Sequence, residues 1–435
     1  MASGRQTTSG ASPVTVLKIK PQSAFLREMD ARGHIYQVTD EKGLDEYAAG
    51  PMAPCGYIGF DATAKSLHVG SLVQIMNLRR LQQAGGRPIV LMGGGTTKIG
   101  DPTDKEKSRP ILTTEEIASN MAQIKKNFEP FLKFGSGPTD AIMIDNAEWL
   151  DQIKWIEFLR DYGKHFTINK MIAQETVKRR LDNEEPYTFL EFNYMLLQAY
   201  DFLELARTHN CCIQMGGSDQ WGNIVNGIDL TRRIIDRQVF GVTTPLITTA
   251  SGGKMGKTAD GAVWLNPDMR SPYDYWQFWR NTEDADVVRF MRLFTDLPAS
   301  EIDEHAKATG AQINDAKKRL ADVATAMLHG EEEAKKAASA AEAVFKGGGT
   351  GEGMPTIEIA RATLAAGYPV VDALVSAGLV DSKGDARRQI AGNAVKLNGE
   401  AVTDPQLAIT EAALDEEGAA RLSVGKKRHA RLKAV

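Results

Sequence analysis

The chain has 435 residues, of which 42% are hydrophobic and 25% charged, and a formal net charge of −4. These are ordinary proportions for a globular protein of two or three domains, and they exclude an intrinsically disordered chain. No apolar run approaches the roughly 20 residues of a membrane span, and the spacing of the three cysteines fits neither a zinc site nor a disulfide framework, which favours a reducing compartment.

Residues 1–24 read as a disordered tail. The first 20 are rich in Ser, Thr and Gly, with three basic residues and no acidic one, a composition shared with organelle transit peptides. Residues 25–245 alternate short apolar runs with helical patterns. The runs Tyr57–Asp61, Pro88–Met92, Ala141–Asp145 and Cys211–Met215 predict a doubly wound, Rossmann-like parallel sheet. Ligands of such sheets bind beyond the carboxyl ends of the strands. His68, Asp101, Asn146 and Asp219 all fall just after these runs.

After the first run, Leu72, Ile75, Met76, Leu78 and Leu81 fall mostly on one helical face, and Gly85-Gly86 ends that helix. Its start carries His68-Val-Gly70-Ser71, where a helix N-terminus offers free N–H groups and a partial positive charge. Gly70 lets a nucleotide approach the backbone, and His68 can donate to a phosphate. Alone, a His-x-Gly recurs by chance, and Ser71 equally suits a helix start.

The second run is followed by Gly93-Gly-Gly95-Thr-Thr-Lys-Ile-Gly100-Asp101-Pro-Thr-Asp-Lys105, with Arg109 close behind. Tyr194, Gln198 and Asp201 project from one face of a mostly apolar helix, where polar groups need partners. Gly216-Gly-Ser-Asp219-Gln220-Trp-Gly-Asn follows an apolar strand; Asp219 can accept from two ribose hydroxyls and Gln220 can bind a carboxylate. Residues 246–275 form a linker with a second basic loop, Gly252-Gly-Lys254-Met-Gly-Lys257-Thr258. Together with the His68 turn it makes a two-part clamp for a triphosphate substituted at its α-phosphorus, where growing charge needs donors already in place.

Residues 276–345 read as all helical, and 346–360, holding Gly347-Gly-Gly-Thr-Gly351, as a flexible linker. A compact α+β module fills 361–435. It carries 11 Lys and Arg against 9 Asp and Glu, and its last fifteen residues hold six Lys or Arg and no carboxylate. That local charge fits an acidic partner.

In this order the motifs resemble bacterial-type tyrosyl-tRNA synthetases, class I aminoacyl-tRNA synthetases, over residues 25–435. His68–Ser71 is similar to the first class signature and Lys254–Thr258 to the second. Gly216–Asn223, the Tyr194/Gln198/Asp201 helix and Ser271-Pro-Tyr-Asp-Tyr-Trp-Gln-Phe-Trp279 resemble tyrosine-specific members. Residues 361–435, with Asp385-Ala-Arg387-Arg388, Val395-Lys396 and Gly425-Lys426-Lys427-Arg428, look like an S4-type RNA-binding module.

The resemblance implies L-tyrosine, ATP with Mg2+ and tRNA(Tyr) as substrates, no tightly held protein-ligated metal, a cytoplasmic homodimer and no membrane contact. It implies that Tyr57 and Asp201 bind the phenol, that Asp101, Tyr194 and Gln198 hold the ammonium, and that Gln220 faces the carboxylate. Gly59, Asp61, His68, Gly70, Ser71, Gly217, Asp219 and Lys257 would meet ATP. Thr63, His68, Lys105, Arg109, Lys254, Lys257 and Thr258 would stabilise the leaving pyrophosphate, and Arg387, Arg388, Lys396, Lys426, Lys427 and Arg428 would contact RNA. Two positions depart from the family: Ser71 replaces a His or Asn near the ribose, and Ile58 stands where many relatives have Cys. A tryptophan-specific relative and a non-catalytic RNA-binding paralogue are the competing readings; Tyr57 with Asp201 speaks against the first, and His68 with Lys254 and Lys257 against the second.

Overall fold

The computed structural model describes residues 17–103, 112–253, 255, 257–258, 261–345, 354–415, 417–425 and 428–435, with only the backbone at 257–258 and 344–345. The chain divides into two compact units. One runs to Asn266 and takes in Val288–Asp296; the other comprises Pro267–Val287 and Leu297–Val435.

The first unit is built on six strands: β1 (Gln37–Val38), β2 (Cys55–Phe60), β3 (Arg87–Met92), β4 (Ile142–Asp145), β5 (Ile213–Gly217) and β6 (Phe240–Thr244). Their spatial order is β1-β6-β5-β2-β3-β4. β2 to β6 are parallel, and β1 pairs antiparallel with β6 at the edge. The winding reverses between β2 and β5, and that crevice is where a ligand of such a sheet sits. β2, β3 and β5 are buried almost throughout, as strands covered on both faces must be, so they read as continuous apolar runs. Tyr57, Ile89, Leu91, Phe202, Leu205 and Cys211 share one core cluster.

Two helices frame the crevice. Val69–Gln83 starts at His68, and Gly85, at φ +86°, turns the chain after it. Phe189–His209 opens with a reciprocal capping box between Thr188 and Glu191 and stops at Asn210, whose left-handed φ of 52° breaks the helix. Glu191 also pairs with the buried Arg180 at 3.0 Å, so the start of that helix is anchored twice.

The strand predicted from Cys211 begins at Ile213 instead, because the turn at Asn210 must first swing the chain into register beside β2. All three cysteines are free and buried. β1 escaped the sequence reading because two residues are too few to show alternation. Within the helical stretch, Val288–Asp296 groups with the first unit. Arg79 donates to Asp296 at 2.9 Å, Arg80 pairs with the same carboxylate, and Arg32 donates to the Thr295 carbonyl at 2.9 Å.

In the second unit, helices Pro272–Arg280, Gln312–His329 and Glu331–Phe345 pack together, and Trp276 donates to Asp322 at 2.7 Å. The C-terminal module has a five-stranded sheet ordered Glu400–Ala401, Val395–Leu397, Ala419–Val424, Arg428–Ala434 and Thr356–Ile359. Helices Val370–Ser376 and Lys383–Ala391 belong to it, with a core of Leu364, Val370, Leu374, Ile390, Leu422 and Leu432.

Candidate functional site

A cavity of about 500 Å³ opens at the carboxyl ends of β2 and β5. Tyr57 on β2 and Gln214 on β5 are register partners, so their side chains stand on the same face of the sheet. Both line the cavity.

At one end the Tyr57 ring meets Phe202 edge-on, with centroids 5.4 Å apart, and its buried hydroxyl has no hydrogen-bond partner among the described residues. Burial, reinforced by the nearby Asp201, pushes this phenol well above its ordinary pKa. Asp201 is buried too; it accepts from Asn146 Nδ2 at 2.9 Å and from Trp149 Nε1 at 2.7 Å. Burial pushes its carboxyl up to about 7, against the lowering pull of those two donors. A lone buried phenol beside a half-ionised carboxyl group is a pair of polar groups to which a hydroxyl of a ligand is complementary.

Further along the cavity the polar groups form a ring. The Asp61 carboxylate accepts from Thr96 Oγ1 at 3.4 Å and from Tyr194 Oη at 3.5 Å. Gln198 donates to Gln220 Oε1 at 3.3 Å, and Gln220 donates to Asp101 at 2.9 Å and to Asp219 at 3.2 Å. Asp101 also accepts from the Thr103 backbone N–H at 2.8 Å. Three carboxylates around neutral amides give this region a negative field that suits a cationic ammonium.

Backbone shape opens the other end. A Cβ added to Gly59 would meet nothing within 4 Å, so that stretch of β2 presents bare backbone to whatever lies against it. A Cβ at Gly70 would stand 2.7 Å from the His68 ring and 2.9 Å from the Met255 carbonyl. The backbone of His68 bridges to Trp264, and Val69 N–H donates to the Val263 carbonyl at 2.9 Å, which pins the helix start to the segment after the basic loop. That loop folds back on itself: Thr249 N–H donates to the Gly253 carbonyl at 2.8 Å and Met255 N–H to the Ile247 carbonyl at 2.9 Å.

Thus Tyr57, Asp101, Tyr194, Gln198, Asp201 and Gln220 come together in one cavity with Gly59, Asp61, Thr63, His68, Gly70, Ser71, Gly217 and Asp219. Ile58 lines it as well. Lys105, Arg109, Lys254, Lys426 and Lys427 lie outside the described residues, as do the side chains of Lys257 and Thr258. Of the basic residues expected to meet RNA, Arg387 and Lys396 are exposed. Arg388 pairs with Asp385 at 3.2 Å, and Arg428 donates to the Leu379 carbonyl at 2.8 Å, so its guanidinium serves the module's own fold.

Sequence reasoning missed the residues that hold the holders. Asn146 is singled out only for following a strand, Thr96 and Gln214 enter only as members of a loop and an apolar run, and Trp149 not at all. The signal for Asn146 was there: an Asp-Asn pair directly at the end of a buried strand. Trp149 lies one helical turn further on, and nothing in its own neighbourhood marks it.

Residues 54–346 match the family described as class I tRNA synthetases (W and Y), and residues 348–432 match the SYY-like C-terminal domain of tyrosine–tRNA ligase. The tyrosine–tRNA ligase of Caulobacter sp. (strain K31) is 59% identical over 414 residues, 95% of this chain and 98% of the relative. That of Zymomonas mobilis is 55% identical over 413 residues, 95% of this chain and 99% of the relative. Among solved structures, a C-terminally truncated mitochondrial tyrosyl-tRNA synthetase from Aspergillus nidulans superposes with a TM-score of 0.66 at 29% identity, covering 74% of this chain and 95% of its own.

Proposed function

The chain belongs to the tyrosine-specific class I tRNA synthetases, and from that premise we propose how its cavity divides the work. The protein is a tyrosine–tRNA ligase: it joins tyrosine to tRNA at the expense of ATP. The observation that carries the site assignment is the buried, unpartnered Tyr57 hydroxyl beside Asp201. The phenol of tyrosine satisfies both at once. Phenylalanine leaves the Tyr57 hydroxyl without a partner and brings no further donor to Asp201, and buried polar groups without partners are costly; tyrosyl-tRNA synthetase is itself the standard illustration of this asymmetry.

With the phenol so placed, Asp101, Tyr194 and Gln198 hold the ammonium and Gln220 faces the carboxylate. That carboxylate is already ionised at neutral pH, so no side chain is needed as base. It attacks the α-phosphorus of ATP; the new C–O–P link forms as the α–β anhydride bond breaks, and pyrophosphate leaves with the electron pair. Gly59, Gly217 and Asp219 border the adenosine, with Asp219 on the ribose, and Asp61, Gly70 and Ser71 meet ATP. Thr63 and His68, with Lys105, Arg109, Lys254, Lys257 and Thr258, take up the charge that develops on the leaving group. A terminal ribose hydroxyl of the tRNA then attacks the tyrosyl carbonyl and AMP departs.

Mg2+ fits here as part of the nucleotide. The carboxylates of Asp61, Asp101, Asp201 and Asp219 are each engaged by protein donors, and Mg2+ commonly binds through substrate phosphates and water. When bound with the nucleotide, the metal would supply charge neutralisation on the phosphates.

Catalysis is assigned to 25–245 with the basic loop of 246–275, the anticodon side to 276–345, and RNA binding to the S4-like module at 361–435, joined through 346–360. Arg387, Arg388, Lys396, Lys426 and Lys427 would meet tRNA phosphates there, with salt-sensitive affinity, while Arg428, bonded to the Leu379 carbonyl, holds the module together. A homodimer accounts for exposed apolar side chains between 155 and 190: Ile156 and Phe189 are 74% and 71% exposed, and Trp155 meets Phe189 edge-on. Among the described residues no helix is long and apolar enough to cross a membrane; that and three buried free thiols support a cytoplasmic protein.

The deciding experiment is ATP–pyrophosphate exchange with each of the twenty amino acids. Exchange with tyrosine alone is expected; exchange driven by tryptophan, or by none, overturns the reading.

A further inference from the structure

A buried polar chain runs behind the helix Val69–Gln83 and plays no part in the assignments above. His34, fully buried, meets Asn77 through Nδ1···Oδ1 at 2.6 Å. Asn77, equally buried, donates from Nδ2 to Thr244 Oγ1 at 2.6 Å and to Gln74 Oε1 at 3.1 Å. Thr244 is the last residue of β6, and the next four residues, 245–248, line the cavity. Gln74 lines it too, and stands one turn beyond Gly70 and Ser71 on the same helical face.

The direction of these bonds follows from the imidazole. Burial first, and then the Arg80 guanidinium, push His34 down to about 3, so it is neutral and carries one ring hydrogen. Its Nε2 is buried with no partner among the described residues. A hydrogen there would be an orphaned buried donor, which is rarer and costlier than an idle lone pair. The hydrogen therefore sits on Nδ1 and points at Asn77 Oδ1. That leaves both Asn77 amide hydrogens for Thr244 and Gln74. Because Gln74 spends its oxygen on Asn77, the end it has left for the cavity is its NH2 group.

On the reading that this cavity binds tyrosine and ATP, we propose that Asn77 is a positioning residue for the nucleotide: it fixes Gln74 with its amide NH2 toward the cavity, as a donor to a ribose or α-phosphate oxygen of ATP. The placement answers a local need. Ser71, on the neighbouring turn, has a short side chain, and Gln74 reaches further from the same face. The chain also ties this contact to Thr244, at the root of the segment leading into the basic loop.

The test is tyrosine-dependent ATP–pyrophosphate exchange on the full chain, with ATP and tyrosine varied separately. For Gln74→Ala, kcat/KM for ATP should fall about three- to tenfold, the loss of one neutral hydrogen bond, with KM for tyrosine within about twofold and an unchanged melting temperature. Gln74→Glu, which keeps the shape but loses the donor, should fall further. Asn77→Leu should reproduce the Gln74→Ala loss on its own and add nothing to it in the double variant. Should Asn77→Leu not fold, the all-apolar His34→Leu/Asn77→Leu/Thr244→Val variant carries the same expectation. Wild-type ATP parameters in both Gln74 variants would overturn the contact, and additive losses would overturn the relay. A wild-type protein that fails to exchange with tyrosine would overturn the site reading itself, a separate and visible result.

Discussion

Asn146 donates from Nδ2 to the buried carboxylate of Asp201 at 2.9 Å, and the two residues lie 55 positions apart on different elements. One end of the cavity is therefore shaped by a residue at the exit of β4 acting on a helix on the far side of the crevice. Asn146 also accepts from the Gly95 backbone N–H at 2.8 Å, which ties the glycine loop after β3 into the same arrangement.

Asn146→Ala should weaken tyrosine binding by about 1–3 kcal/mol, since Asp201 loses one of its two donors inside a buried site. Isothermal titration with tyrosine measures it. An unchanged Kd would show that Trp149 alone suffices to hold the carboxylate.

The pH dependence of tyrosine affinity follows from Asp201. Its carboxyl is raised to about 7 by burial, whereas the unfolded chain titrates near the ordinary value of about 4. The folded protein thus holds a proton the unfolded one has lost, and stability falls as pH rises from about 4 to 7. Bound tyrosine adds a donor to the carboxylate, favours its ionised form and releases part of that proton. Tyrosine affinity should therefore fall as pH drops from about 8 to 6, and Asp201→Asn should flatten both slopes. Parallel wild-type and variant profiles would assign them elsewhere.

Thr63→Ala with His68→Ala should slow adenylate formation by about a hundredfold or more, since donors that act only in the transition state are worth about 3 kcal/mol each. Tyrosine binding should be nearly unchanged, because neither residue faces the phenol or the ammonium in the proposed arrangement. Single-turnover measurement of adenylate formation beside equilibrium binding separates the two; a large loss of tyrosine affinity would refute the assignment.

Removing 356–435 should leave pyrophosphate exchange intact and sharply reduce tRNA charging. The truncated relative from Aspergillus nidulans was solved without its C-terminal part, so a fold lacking such a segment exists among similar proteins. Equal charging by the truncated chain would take the module out of RNA binding.

The parts legible in sequence were those whose chemistry is local. A glycine beside a histidine at a helix start, or three polar residues on one face of an apolar helix, announce themselves within a few positions. Asp201 was visible in this way, because a carboxyl group in Phe-Asn-Tyr-Met-Leu-Leu-Gln-Ala-Tyr-Asp-Phe needs an explanation. Its donors Asn146 and Trp149 were not, since their meaning lies in a contact across more than fifty residues. His34 was hidden for the same reason: nothing near it in sequence shows that Asn77 waits behind it. Four of the five parallel strands were legible as apolar runs; β6, with Gly241 inside it and two threonines at its end, was not among them, and the two-residue edge strand had no pattern to display. The allegiance of Val288–Asp296 to the first unit rests on the Arg79–Asp296 pair, a relation that helical periodicity cannot encode.

The helix Val69–Gln83 begins at His68 without a side-chain capping bond, although the backbone there is extended, at φ −122° and ψ 169°, as a serine or aspartate cap requires. His68→Ser would supply such a cap and should add about 1 kcal/mol to the fold, while the role proposed for His68 on the leaving pyrophosphate predicts slower adenylate formation. Anyone selecting heat-resistant variants by melting temperature alone would be led toward this replacement, so thermostability screens on this scaffold need a catalytic counter-screen at residue 68.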